Sequence, residues 1–101
     1  MTIKSERTGK TSMTLFLSGR LDTSTASLLE RKLKQAGDDI IELTLDLEEL
    51  VYISSMGLRI LVQARKSMKE QRRSLLLVNM KESIREIFEI TGFFNLMVSE
   101  D

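Results

Sequence analysis

Cysteine, histidine and proline are all missing from this 101-residue chain. Without Cys and His there is no thiol chemistry, no imidazole base and neither of the two most versatile transition-metal ligands. Any chemistry must come from carboxylates, hydroxyls, Lys and Arg, so enzymatic routes are few and a non-enzymatic role is expected. Long apolar runs are lacking as well. Nothing approaches the ~20 residues that span a bilayer, and Met1-Thr2-Ile3-Lys4 does not lead into the apolar stretch of a secretory signal. A soluble cytoplasmic protein with no membrane partner is the expectation. An excess of one charge is absent too: 15 Lys and Arg balance 15 Asp and Glu, which argues against direct nucleic-acid binding. Nothing resembles GxxxxGK[ST], GxGxxG or an EF-hand loop, and no cofactor or metal is expected.

What is present fits one domain over residues 1–101, long enough to bury a core without disulfides. Met13, Leu15 and Leu17 alternate with Ser12, Thr14 and Phe16, which predicts a strand that Gly19 breaks. Asp22-Thr23-Ser24-Thr25 is dense in capping residues. Ala26, Leu29, Leu33 and Ala36 follow at helical spacing until Gly37. Ile41, Leu43, Leu45 and Leu47 alternate with polar residues, a strand with one apolar face.

Beyond it, Leu58, Leu61, Ala64 and Met68 mark an amphipathic helix ending in the basic run Arg72-Arg73. Leu75 to Val78 is a continuous apolar run, as expected of a strand covered on both faces. Ile84, Ile87 and Phe88 then form a helical stripe ended by Gly92, and Phe93, Phe94, Leu96 and Val98 remain for a final strand or tail. The order is ββαβαβα: a small single-domain α/β sandwich with a mixed four- to five-stranded sheet and helices packed mainly on one face.

In such sheets sites gather at the carboxyl ends of strands. Both Asp22 and the pair Ser54-Ser55 fall at strand-to-helix turns, so they are expected to face one surface. If Ser54 caps the helix, Ile53 and Leu58 take the positions of a hydrophobic staple and the Ser55 hydroxyl is surplus to structure. A phosphate there would meet free backbone N–H groups and the positive end of the helix dipole, worth about 0.3–1 kcal/mol. A plain double-serine turn is the competing reading. Gly57, one turn inside the helix, implies a close neighbour or partner.

Serine catalysis has no His to draw on, and Lys32, Lys34, Lys66 and Lys69 lie in charged helical stretches that read as solvated. Asp46 and Glu48 share the polar side of a strand and likewise read as solvated. Charge is uneven locally: Asp38 to Glu49 is acidic throughout, and Arg59 to Arg73 carries six basic residues against Glu70. Most such asymmetry is solvated surface, and the remainder can steer a charged partner.

Several stretches resemble one family. Gly19-Arg20-Leu21-Asp22 with Ala26 and Leu29, Leu45-Asp46-Leu47, and above all Val51-Tyr52-Ile53-Ser54-Ser55-Met56-Gly57-Leu58-Arg59 are similar to motifs of the STAS domain. The likeness is to the single-domain bacterial anti-sigma factor antagonists, over nearly the whole chain. In that family the phosphorylated serine lies two residues before the motif glycine, which implies Ser55. Some members carry Asp just before it, where this chain has Ser54.

The resemblance implies a mechanism. The unmodified domain binds an anti-sigma factor serine kinase and frees a sigma factor, phosphorylation ends binding, and a serine phosphatase restores it. Asp22, Thr23, Ser54, Met56, Gly57 and Arg59 are the expected partner-binding residues around Ser55. Competing expectations are a scaffold or regulatory module of a larger signalling or transporter assembly, and a module holding a nucleotide or lipid near the serine junction.

Overall fold

The computed structural model describes residues 1–92. Strand β1 (Thr2–Arg7) pairs antiparallel with β2 (Ser12–Leu21), which leads into helix α1 (Ala26–Gln35). Strand β3 (Glu42–Ile53), helix α2 (Ser55–Glu70), strand β4 (Ser74–Val78) and helix α3 (Glu82–Thr91) complete the order. The sheet runs β1-β2-β3-β4, with β2, β3 and β4 mutually parallel. This is the expected ββαβαβα arrangement, with four strands and three helices among the described residues. None of these helices is long and apolar enough to cross a membrane.

The helices cover one side of the sheet. Leu15, Leu17, Leu43, Leu45, Leu47 and Leu75 are all within 1 % of complete burial, and they join Leu29, Leu58, Leu61, Ile84 and Phe88 in one core. Residues between them in the strands, such as Phe16 and Leu76, point the other way and are exposed. Two expectations change as a result. Leu76 is 55 % exposed, so the Leu75–Val78 run is covered on one face rather than both. Periodicity cannot separate the two cases in an unbroken apolar run. Ile41 is exposed while Ile40 is fully buried, because β3 begins only at Glu42 and the chain enters it from a turn.

Gly19 does not end its strand. It sits inside β2 at φ +95°, where the ladder between β2 and β3 slips. An added Cβ would lie 3.3 Å from the Met1 backbone, so both space and dihedral angle select glycine. Arg72-Arg73 lies past the end of α2. Arg73 instead donates from Nε to the Ile40 carbonyl (2.6 Å) and from Nη2 to the Gly37 carbonyl (2.6 Å), tying together two loops at the amino ends of β3 and β4. Gly92 closes α3 in the left-handed region at φ +79°. Phe93, Phe94, Leu96 and Val98 lie outside the described residues.

Candidate functional site

The carboxyl ends of β2 and β3 are neighbours, with Leu21 opposite Ile53 in the ladder. Immediately past them, the Ser54 amide donates to the Leu21 carbonyl at 2.8 Å. The loop that carries Asp22 and the start of α2 are therefore pinned side by side, and the two strand-to-helix turns share one surface.

Ser54 caps α2. Its backbone is extended, and its Oγ accepts from the Gly57 amide at 3.2 Å. Ile53 and Leu58 flank the cap and are buried, as a hydrophobic staple requires. Ser55 is then the first helical residue and is exposed. Ser54 satisfies the N-terminal amide of Gly57, so the Ser55 hydroxyl has no capping duty. Met56 is 38 % exposed, and Arg59 lies exposed one turn along α2 from Ser55, on the same helical face.

Gly57 is buried, and its role is close approach. A Cβ there would stand 2.7 Å from Leu21 Cγ, 3.0 Å from the Leu21 carbonyl oxygen and 3.1 Å from Ile53 Cγ1. This glycine lets α2 start hard against the end of β2. Its neighbour is the chain's own fold, and it supports the site from beneath.

Asp22 is half-buried and works on its own loop. Its Oδ1 accepts from the Ser24 hydroxyl (2.8 Å), the Ser24 amide (3.0 Å) and the Thr25 amide (3.2 Å). The Ser24 hydroxyl and, with it, the Thr25 and Ser24 groups hold the carboxyl below its usual range, against a smaller opposing effect of partial burial. Thr25 Oγ1 donates to the Arg20 carbonyl at 2.8 Å and accepts from the Asp22 amide at 2.9 Å, which locks the loop. Thr23 is exposed at its tip.

Three residues at this end carry signals that the sequence pattern did not single out. The Arg20 guanidinium lies 4.2 Å from the centre of the Tyr52 ring, and its Nε is 3.7 Å from Asp22 Oδ2. Val51, next to Tyr52, is 56 % exposed. Arg20 and Tyr52 are far apart in sequence and meet only because the ladder pairs them.

Other candidates fall elsewhere. Asp46 accepts from the Glu48 amide at 3.0 Å and from the Asn79 side chain at 2.9 Å, a structural role, and Glu48 is exposed. Asp39 pairs with Arg7 at the opposite end of the sheet. Lys34, Lys66 and Lys69 are exposed on their helices. A cavity of about 370 Å³ between α1 and α2 is lined by Leu33, Lys34, Ile60, Met68 and Arg73 among others, and by none of the serine-junction residues. The junction itself is an open surface.

The STAS domain model matches residues 2–100. BtrV of Bordetella bronchiseptica, an anti-sigma factor antagonist by name, is 36 % identical over 81 residues, covering 79 % of this chain and 70 % of its own. The fold superposes on the anti-sigma factor antagonist SpoIIAA in its unphosphorylated form with a TM-score of 0.81 at 17 % identity, covering 96 % of this chain and 86 % of that one. For the phosphorylated form of the Bacillus SpoIIAA the TM-score is 0.75 at 17 % identity, with coverage of 96 % and 89 %. The chain belongs to the STAS domain family, among the bacterial anti-sigma factor antagonists.

Proposed function

We propose that this protein is a phosphorylation-switched antagonist, a substrate and switch rather than a catalyst. In its unmodified state it docks on an anti-sigma factor serine kinase in the cytoplasm through Asp22, Thr23, Ser54, Met56 and Arg59, with Gly57 supporting the helix start. The kinase transfers phosphate to Ser55, docking ends, and a serine phosphatase restores the first state. The observation that carries this reading is the division of labour at the helix start. Ser54 makes the cap, which leaves the Ser55 hydroxyl exposed and uncommitted.

Electrostatics gives the switch its direction. A phosphoserine adds about −1.5 to −2 charge, and in a docked interface it would share space with the ionised Asp22. Placing like charges together in an interface costs several kcal/mol. In the free protein the same phosphate faces the amino end of α2, a gain of about 0.3–1 kcal/mol. Both terms favour dissociation, and the interface term is the larger.

The test is binding to the kinase that phosphorylates Ser55. Ser55→Ala is expected to bind constitutively, and Ser55→Asp at least about tenfold more weakly, a difference of about 1.4 kcal/mol. Equal affinity of the two variants would remove the proposal.

A further inference from the structure

The parallel ladder between β2 and β3 slips twice on its way to the site. Phe16 faces Asp46 but Ser18 faces Glu49, and Gly19 faces Leu50 but Arg20 faces Tyr52. Each slip gives β3 one residue more than β2, the signature of a bulge, and bulges turn side chains away from the alternation a regular strand would impose. The second slip leaves Val51 without a partner. Val51 ends up 56 % exposed and Tyr52 37 % exposed, two residues of high strand propensity held in solvent just before Ser54.

Arg20 completes the arrangement. Its guanidinium face covers the Tyr52 ring at 4.2 Å while its side chain stays 60 % exposed. Stacking uses the face of the guanidinium and leaves its N–H edges to donate. Asp22 approaches Nε at 3.7 Å with Oδ2, the oxygen that the Ser24 and Thr25 groups do not use. Tyr and Arg are, with Trp, over-represented among energetically dominant interface positions, and a rigid ring is immobilised at low entropic cost. Met56, at the start of α2, is 38 % exposed as well, so the segment from Val51 to Met56 that contains Ser55 carries three exposed large apolar side chains, with the Arg20 cation over one of them.

We propose that Arg20, Val51 and Tyr52 form an anchor that selects the kinase. They fit a partner surface with an apolar recess for Val51 and the Tyr52 ring, and a carboxylate at its rim for the free edges of Arg20. The inference rests on the proposed function and adds a specificity region at the end of β3, which the chain joins to the helix start through Ile53 and Ser54. These residues do not touch the acceptor oxygen. They position the chain on the kinase, so they act on encounter and residence rather than on phosphoryl transfer.

The experiment measures steady-state phosphorylation of Ser55 by the serine kinase that modifies the wild-type protein, with Arg20→Glu, Tyr52→Ala and Tyr52→Phe. Arg20→Glu and Tyr52→Ala are expected to raise KM for the protein substrate at least about tenfold with kcat within about twofold. Tyr52→Phe, which keeps the ring, is expected to stay near wild type. Thermal melts run in parallel are expected to show all three folded, since both side chains are exposed. An unchanged KM in Arg20→Glu and Tyr52→Ala, or a fall in kcat at constant KM, would overturn the anchor. Either result leaves the Ser55→Ala and Ser55→Asp contrast intact, whereas loss of that contrast would overturn the switch itself.

Discussion

Asp22 orders its own loop, and the proposed docking surface draws on the same side chain. Its Oδ1 is filled by the Ser24 and Thr25 groups, and those hydrogen bonds favour the ionised form. A carboxyl whose folded pKa is depressed contributes stability above the ordinary carboxylate range and loses it as pH falls through the depressed value. Asp22→Asn keeps an acceptor but removes the charge. Wild type is therefore expected to melt above Asp22→Asn at neutral pH, and the gap is expected to close only as pH falls past the ordinary Asp value of 3.8 and on through the depressed folded value below it. A gap that stays constant across thermal melts in this window would show that the charge is not what orders the loop. At neutral pH the carboxylate is ionised, the state that the proposed switch requires if it is to repel a phosphate on Ser55.

Helix α2 depends on a contact that its own propensity opposes. Replacing a glycine inside a helix by alanine normally gains about 0.8–1 kcal/mol. At position 57 the new methyl would press on Leu21 Cγ at 2.7 Å and the Leu21 carbonyl oxygen at 3.0 Å, and that carbonyl already receives the Ser54 amide. A backbone atom cannot swing aside as a side-chain tip can, and overpacking of this kind costs about 1–3 kcal/mol. The steric term wins. Gly57→Ala is expected to destabilise the protein by about 1 kcal/mol in urea unfolding, and to lift α2 away from the Asp22 loop. A stability gain would mean that the β2 end yields more easily than this packing implies.

At the scale of the molecule, the helices were legible because their apolar spacing is a local property. Ala26, Leu29, Leu58, Leu61, Ile84 and Phe88 all face the core, and Gly37 and Gly92 follow their helices in left-handed geometry. The meeting of Asp22 with the serine junction was legible too, since parallel strands place their carboxyl ends together. What could not be read depends on pairing between distant segments. Alternation holds through Leu43, Leu45 and Leu47, then jumps to Leu50 and Ile53, and only the slipped ladder explains the jump. The same slips put Arg20 over Tyr52, and the placement of α1, α2 and α3 on one face leaves Leu76 exposed.

This layout also bounds what phosphorylation can do. The Ser55 hydroxyl sits on the surface, whereas Leu45, Leu47, Leu61 and Phe88 are fully buried. A helix-terminus gain of about 0.3–1 kcal/mol is small beside the 5–15 kcal/mol that typically separates folded from unfolded states. The modified protein is expected to keep its fold. In amide NMR spectra, shift changes on phosphorylating Ser55 are expected to concentrate in residues 20–25 and 52–59, with Leu45 and Phe88 unmoved. Changes spread through β4 and α3 would mean that the proposed switch acts by rearranging the core, and its electrostatic account would have to be replaced by a conformational one.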